Sequence, residues 1–390
     1  MAHDPAHAHP ASAVVARWVD PRQQQAVALP IYQTTTFVMD EALVTAMNRG
    51  DYRSEYLYTR MGNPTVRALE ERLAALHGAE DGLCTASGMA ALSAALIGNT
   101  APGDGVIAAN QLYGVTAAFL RRFLATMGRE VVFADTSDPA TLAAAAATLR
   151  KPAWLLVETI SNPLMEVSPI ARQAEQAHAL GLRLMVDNTF ANPLLCRPLT
   201  LGADLVVESL SKSIAGHSDV HGGLVAGAAE PVRLAWDAMV HLGSCLDPHA
   251  AALIWRGLKT MVVRTDASSA RAAALVQWLK GQEGVERVYH PSLQDDWSAT
   301  VTTGGSMLSF VVTGGDVRAE RLLQALRLAT PATSLGGVET LVSLPYNTSH
   351  RTAEARAMIG LLPGTVRLSV GIEAFEELRD DLAQALAATA

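Results

Sequence analysis

The chain has 390 residues, 49% hydrophobic and 17% charged, with a net charge of −8. That length buries a large core and fills two or three structural units, and the composition excludes a wholly disordered chain. The acidic balance, with no basic stretch, excludes a nucleic-acid footprint, and Cys84, Cys196 and Cys245 are too widely spaced for a disulfide framework or a zinc motif, so no metal is expected.

Residues 1–55 read as an irregular arm with one helical patch. Its opening, "MAHDPAHAHPASAVVARW", lacks the basic and apolar regions of a signal peptide. It reads as a polar lead-in. No apolar run is long enough and free enough of charge to span a bilayer, so a cytoplasmic protein without a membrane partner is expected. "AVALPIYQTTTFVM" is apolar and β-branched but interrupted by Pro30, which predicts an extended segment packed on something else. "VRALEERLAALHGA" spaces its apolar residues as a helix and ends at Gly78. "PATLAAAAATLRK" is alanine-rich and reads as a helix.

The middle of the chain alternates. "AWLLVET" reads as a strand, "SPIARQAEQAHALG" as a helix, and "LRLMVDN", "ADLVVES" and "GGLVAG" as further strands. Continuous apolar strands separated by helices predict a mainly parallel sheet covered on both faces. Near Asp247 the composition shifts. "AALIWRGLKTMVVRTDASSARAAALVQWLKG" predicts one long bridging helix. "MLSFVVTGG", "AERLLQALRLA", "TVRLSVGI" and "AFEELRDDLAQALAA" then form a smaller α+β unit. The expected division is an arm over 1–55, a large domain over 56–250 and a C-terminal domain over 251–390.

In open α/β sheets, ligands bind beyond the carboxyl ends of the strands. "WLLVET" carries Glu158 near its end and continues to Asn162, and "LRLMVDN" carries Asp187. "LVVES" ends in Ser209, with Ser211 and Lys212 just beyond. A carboxylate ending a buried strand is costly unless it meets a cation, and a lone lysine among small residues calls for a reason. Pyridoxal phosphate supplies both reasons. Its aldehyde condenses with an amine, and its protonated ring nitrogen pairs with an aspartate, which makes the ring an electron sink. Its phosphate needs hydroxyls and N–H groups. "TASGMAAL" places Ser87, Gly88 and Met89 at the opening of a helix, where N–H groups attract anions. Small-residue turns and Lys–Asp pairs are each common. Their combination in this order, at strand ends, points to the cofactor.

These stretches resemble the Cys/Met-metabolism (trans-sulfuration) family of pyridoxal-phosphate (PLP) enzymes. It includes cystathionine γ-synthase, cystathionine β- and γ-lyases, methionine γ-lyase and O-acylhomoserine sulfhydrylases. The resemblance rests on "PIYQTTTF", "YLYTRMGNPTVRALEERLAALHGAE", "ASGMAA", "LYGVT", "ETISNPLMEV", "MVDNTFANPLLCRPLTLGADLVVESLSKSIAGHSDVHGG", "RGLKTM", "SLGGVETLVSLP" and "VRLSVGIE", in family order along nearly the whole chain. It implies the fold type I of PLP-dependent transferases, aspartate-aminotransferase-like, with a PLP-binding large domain and a smaller C-terminal α+β domain.

The resemblance also implies roles. Lys212 matches the lysine that holds the cofactor, and Asp187 the partner of the ring nitrogen. Ser209 and Ser211 match hydroxyls near the phosphate, with Ser87, Gly88 and Met89 as its cradle. Tyr113 matches the aromatic that stacks on the ring and handles protons. Tyr58 and Arg60 match residues that reach the phosphate of a neighbouring subunit, which implies a homo-oligomer, a dimer of dimers. Arg367 matches the arginine that grips the substrate carboxylate, with Ser334 beside it, and Asn162 lies near the ring oxygen and that carboxylate. His217 reads as a structural histidine behind the lysine.

The reaction branch is less plainly written. Glu339 matches a glutamate found in several cystathionine-handling relatives and in sulfhydrylases. Leu57 replaces an acidic residue common in cystathionine γ-lyases and synthases, and Val115 replaces the cysteine typical of methionine γ-lyases. His221 departs from the family's apolar residue without a functional account. The expected activity is C–S elimination at the β- or γ-carbon of a sulfur amino acid, cystathionine or a similar one, giving a keto acid, ammonia and a thiol. The alternatives are γ-replacement on an O-acylhomoserine and a γ-lyase acting on methionine or another γ-substituted amino acid. From another class comes a non-catalytic scaffold, which the complete set of cofactor residues disfavours.

Overall fold

The computed structural model describes residues 9–16, 26–49 and 55–390; the polar lead-in expected over 1–18 lies partly outside them, and its described part holds the short helix Pro10–Ala13. The strands are β1 Asp81–Thr85, β2 Gly105–Ala109, β3 Glu130–Ala134, β4 Pro152–Glu158, β5 Arg183–Asp187, β6 Leu205–Ser209, β7 Gly223–Gly227, β8 Val285–Tyr289, β9 Met307–Val312, β10 Thr330–Pro331, β11 Leu341–Ser343 and β12 Thr365–Ser369. The chain divides into two compact units, Met1–Ala101 with Asp204–Val262, and Pro102–Ala203 with Val263–Ala390.

In the first unit the strand order is β1-β7-β6, and both pairings are antiparallel. The helix Pro64–His77 starts where the Asn63 side chain accepts the Thr65 N–H and Pro64 takes the first position; it stops at Gly78, whose φ of 67° suits glycine. The arm is tied to this start. Thr65 Oγ1 donates to the Pro30 carbonyl, and the Asn63 amide donates to the Tyr32 carbonyl. Val27 and Val38 of the same arm remain exposed.

The single bridging helix expected over 251–281 is two helices, Pro248–Leu258 and Met261–Leu279. The Thr260 N–H and hydroxyl both donate to the Gly257 carbonyl at 3.1 Å, which tightens the last turn and ends the first helix. Gly257 lies so close to the Ala215 carbonyl that a Cβ there would stand 2.1 Å from its oxygen. Apolar periodicity carries no signal for such a local capture of one carbonyl.

In the second unit β5-β4-β2-β3 run parallel, as the apolar runs predict. β4 is buried from Trp154 to Glu158, the mark of a strand covered on both faces. Leu155 and Val157 of β4 pack with Leu184 and Val186 of β5 and with Ile170 and Ala174 of the helix Ile170–Ala179. The same unit holds the order β10-β11-β12-β9-β8, antiparallel except for β10 with β11. Phe310, Val366 and Leu368 pack there with Leu275 and Leu279 of the helix Met261–Leu279 and with Leu378 and Leu382 of the closing helix Phe375–Ala388.

Candidate active site

The first unit builds its polar centre from small residues. Ser87 caps the helix Gly88–Gly98 by accepting the Ala90 N–H at 3.1 Å. Gly88 is packed onto the end of β6, where a Cβ would stand 2.8 Å from the Ser209 Cβ. Gly223, at the start of β7, lies under Ser87, and a Cβ there would come 2.1 Å from the Ser87 carbonyl oxygen. The helix start at Gly88 and Met89 is therefore held against the end of β6, with the positive end of the helix dipole there.

After Ser209 the chain turns. The Lys212 N–H donates to the Ser209 carbonyl at 3.3 Å, and the Lys212 carbonyl accepts the Gly216 N–H at 2.8 Å. The Ser211 hydroxyl accepts the Gly222 N–H at 3.0 Å, so it braces the turn. Lys212 is half-buried. His217 is exposed, its Nδ1 2.7 Å from the Ala215 carbonyl, which makes it an outer brace of the same turn, and His221 is exposed as well. The Arg60 guanidinium lies over the Tyr58 ring at 5.6 Å, and both residues are exposed.

The second unit builds its centre from longer side chains. Asp187 ends β5, and its Oδ1 accepts both the Thr189 N–H at 3.0 Å and the Thr189 hydroxyl at 2.6 Å. Its register partner on β4 is Glu158, whose Oε1 accepts the Tyr113 N–H at 2.5 Å. Burial, and after it Asp187, pushes the Glu158 carboxyl well above the usual carboxylate range, against bonds from the Tyr113 and Asn162 N–H groups. Tyr113 stands at the start of the helix Gly114–Phe119, 44% exposed.

Arg367, on β12, is 8% exposed. It donates to Asn162 Oδ1 and to the Ser334 carbonyl, both at 3.0 Å. Ser334 holds that carbonyl in place with a φ of 85°, a costly conformation for any residue but glycine. Burial lowers the Arg367 pKa to about 10, so the guanidinium stays charged at neutral pH. Glu339 is half-buried, and Val115 is exposed.

Sequence reasoning passed over His350 and Thr189. His350 is buried, with Ser349 Oγ 2.9 Å from its Nδ1; burial, and after it the Arg367 charge, lowers its pKa. It sits in a loop with no periodicity to mark it. Thr189 stands two residues beyond Asp187, and a hydroxyl directly after a strand-end carboxylate is a signal that was available.

These residues fit pyridoxal phosphate. The helix start at Ser87 and Gly88, packed against Ser209, offers N–H and hydroxyl groups to an anion. Lys212 is an amine one turn away. Asp187, fixed by Thr189, is an acceptor for a ring N–H. The Cys/Met metabolism PLP-dependent enzyme family matches residues 11–387, and the chain belongs to it.

This makes the protein a pyridoxal-phosphate enzyme of fold type I. It works in a family of carbon–sulfur lyases and trans-sulfuration transferases. L-Methionine γ-lyase of Pseudomonas putida is 38% identical over 374 residues, 94% of each chain. O-Succinylhomoserine sulfhydrylase of Pseudomonas aeruginosa is 38% identical over 365 residues, 92% of this chain and 90% of that one. Among solved structures, cystathionine γ-synthase from Xanthomonas oryzae pv. oryzae, in complex with aminoacrylate and cysteine, has a TM-score of 0.90 at 36% identity over 98% of both chains. Cystathionine γ-lyase from Micromonospora echinospora has a TM-score of 0.88 at 35% identity over 97% of this chain and 99% of that one. No helix among the described residues is long and apolar enough to cross a membrane.

Proposed function

We propose that this enzyme eliminates a sulfur-bearing group from the β- or γ-carbon of an amino acid, as cystathionine lyases do, releasing a keto acid, ammonia and a thiol. The observation that carries the substrate class is Arg367, a buried guanidinium whose hydrogen bonds go to the neutral acceptors Asn162 and Ser334. A buried cation with neutral partners is costly, and an α-carboxylate offsets that cost through the planar fork of the guanidinium.

Bound pyridoxal phosphate supplies an electron sink for the charge that develops at Cα. Lys212 would hold the cofactor through its Nζ, and the same Nζ would take the α-proton, aided by the Tyr113 hydroxyl. Asp187 keeps the proton on the ring nitrogen. Ser87, Gly88, Met89, Ser209 and Ser211 hold the phosphate, with Tyr58 and Arg60 reaching it from a neighbouring subunit. Asn162 orients Arg367, and Ser334 and Glu339 line the substrate side. In this reading the large domain, 56–250, carries the cofactor and the C-terminal domain, 251–390, the carboxylate grip.

A second reading, γ-replacement on an O-acylhomoserine, is favoured by the sulfhydrylase and synthase relatives. A panel of cystathionine, methionine and O-succinylhomoserine separates the two when keto acid, ammonia and thiol are assayed individually. Elimination releases keto acid and ammonia without added thiol. Turnover only of the acylhomoserine, only with thiol and without ammonia, overturns it.

The enzyme works in the cytoplasm as a homo-oligomer, a pair of dimers whose sites are shared between subunits. Mixing inactive Lys212→Ala with inactive Arg60→Ala subunits then restores part of the activity, because one hybrid site has both residues intact. A fully active monomer in sedimentation refutes the shared site.

A further inference from the structure

Glu158 is a buried acid that the reaction outlined above leaves unused. It is 6% exposed, and it faces its register partner Asp187 across adjacent parallel strands. The two strand ends are locked together. The Thr159 N–H donates to the Asp187 carbonyl at 3.0 Å, and the Thr159 hydroxyl to Asn188 Oδ1 at 2.6 Å. Asn188 is fixed in turn, its amide donating to the Cys196 carbonyl at 3.0 Å. The backbones that carry the two carboxyls are therefore held side by side.

Two neighbouring carboxyls repel as anions, and the one further from water is the one that keeps its proton. Glu158 Oε1 takes the Tyr113 N–H at 2.5 Å and the Asn162 N–H also faces the carboxyl, while Oε2 has no hydrogen-bond partner among the described residues. Asp187 is half-buried and receives both donors of Thr189. Desolvation therefore falls harder on a Glu158 anion than on an Asp187 anion, and the proton of the pair goes to Glu158.

We propose that Glu158 is a positioning residue that works as a neutral carboxylic acid, fixing the Tyr113 backbone to the end of β4 and leaving Asp187 the sole anion for the cofactor's ring nitrogen. The proposal rests on the role of Asp187 given above. It gives the acid two tasks. Oε1 anchors the start of the helix that presents Tyr113. The proton on the same carboxyl keeps the pair at one negative charge, so the ring nitrogen meets a single anionic carboxylate.

The test uses the full-length enzyme, its apo form, and three variants. Wild-type apoprotein shows the infrared carbonyl band of a neutral carboxyl at neutral pH, and Glu158→Gln loses it. Pyridoxal phosphate is then titrated into each apoprotein by fluorescence. Glu158→Ala loses about tenfold or more in affinity, Glu158→Gln stays within about threefold of wild type, and Asp187→Asn, the reference, loses about tenfold or more. An amide mimics the neutral acid in shape and charge but not an anion. The proposal is overturned if wild type and Glu158→Gln have the same band, or if Glu158→Gln weakens binding as much as Glu158→Ala. Should Glu158→Ala fail to fold, the band and the Glu158→Gln affinity still decide. An Asp187→Asn protein that binds like wild type overturns the role of Asp187 itself, whereas a weakened Asp187→Asn beside a weakened Glu158→Gln overturns only the role of Glu158.

Discussion

Around Lys212 the polar partners are hydroxyls and backbone groups brought close by small residues. Around Asp187 and Arg367 the neighbours include a carboxyl and an amide drawn from distant stretches of chain, beside the local N–H and hydroxyl of Thr189. Gly88, Gly223 and Ser209 approach one another because none has bulk, and the helix start supplies N–H groups that need no side chain. Arg367, by contrast, meets Asn162 across 205 positions of sequence, and Tyr113 meets Glu158 across 45. A centre built from backbone tolerates little added volume. A centre built from side chains tolerates little change of charge or geometry.

Removing the amine from the first centre has the largest expected effect. Lys212→Ala loses the base and the cofactor's covalent hold, so turnover falls by at least about 10⁴-fold. Borohydride treatment then no longer fixes cofactor to the chain, as mass spectrometry of the reduced protein reads. Labelling of another lysine in the wild type defeats the assignment.

A change of geometry without a change of charge probes the second centre. Arg367→Lys keeps a cation but loses the planar fork, and kcat/KM for an amino acid drops by about 100-fold, the scale of a lost charge-assisted hydrogen bond. Bound cofactor and its absorbance stay at wild-type levels. A surface arginine in the same place gives a nearly silent variant, so steady-state kinetics decide.

Added volume in the backbone-built centre gives the smallest effect. Gly88→Ala brings a Cβ to 2.8 Å from the Ser209 Cβ, closer than real Cβ atoms come. β6 or the helix start must shift, at a cost of about 1 kcal/mol, the low end of an overpacking penalty. Thermal denaturation reads the loss, and cofactor affinity falls with it. Unchanged stability and affinity separate Gly88 from the cradle.

Much of the first centre was legible before any coordinates. Ser87-Gly88-Met89 and Ser209-Leu210-Ser211-Lys212 are contiguous stretches, and small residues at a strand-to-helix turn carry their meaning locally. The apolar runs of β4, β5, β6, β7, β9 and β12 were legible for the same reason. β2, "GVIAA", is mostly small residues, and β3 and β8 are only partly buried along most of their length, which blurs their patterns. The helix break at Thr260 turns on one hydroxyl and one carbonyl, a detail below the resolution of apolar periodicity.

The sequence by itself determined the α/β class, the family, the cofactor and the strand-end residues, because each of these is written in local patterns and ordered motifs. Only the tertiary structure decided how those residues are coupled. Strand register set Glu158 beside Asp187, and the pairing of β12 with β9 and β11 carried Arg367 to Asn162 and Ser334. Register and long-range packing depend on the burial of the whole sheet, and the charge state of a carboxyl depends on neighbours that the chain brings from elsewhere.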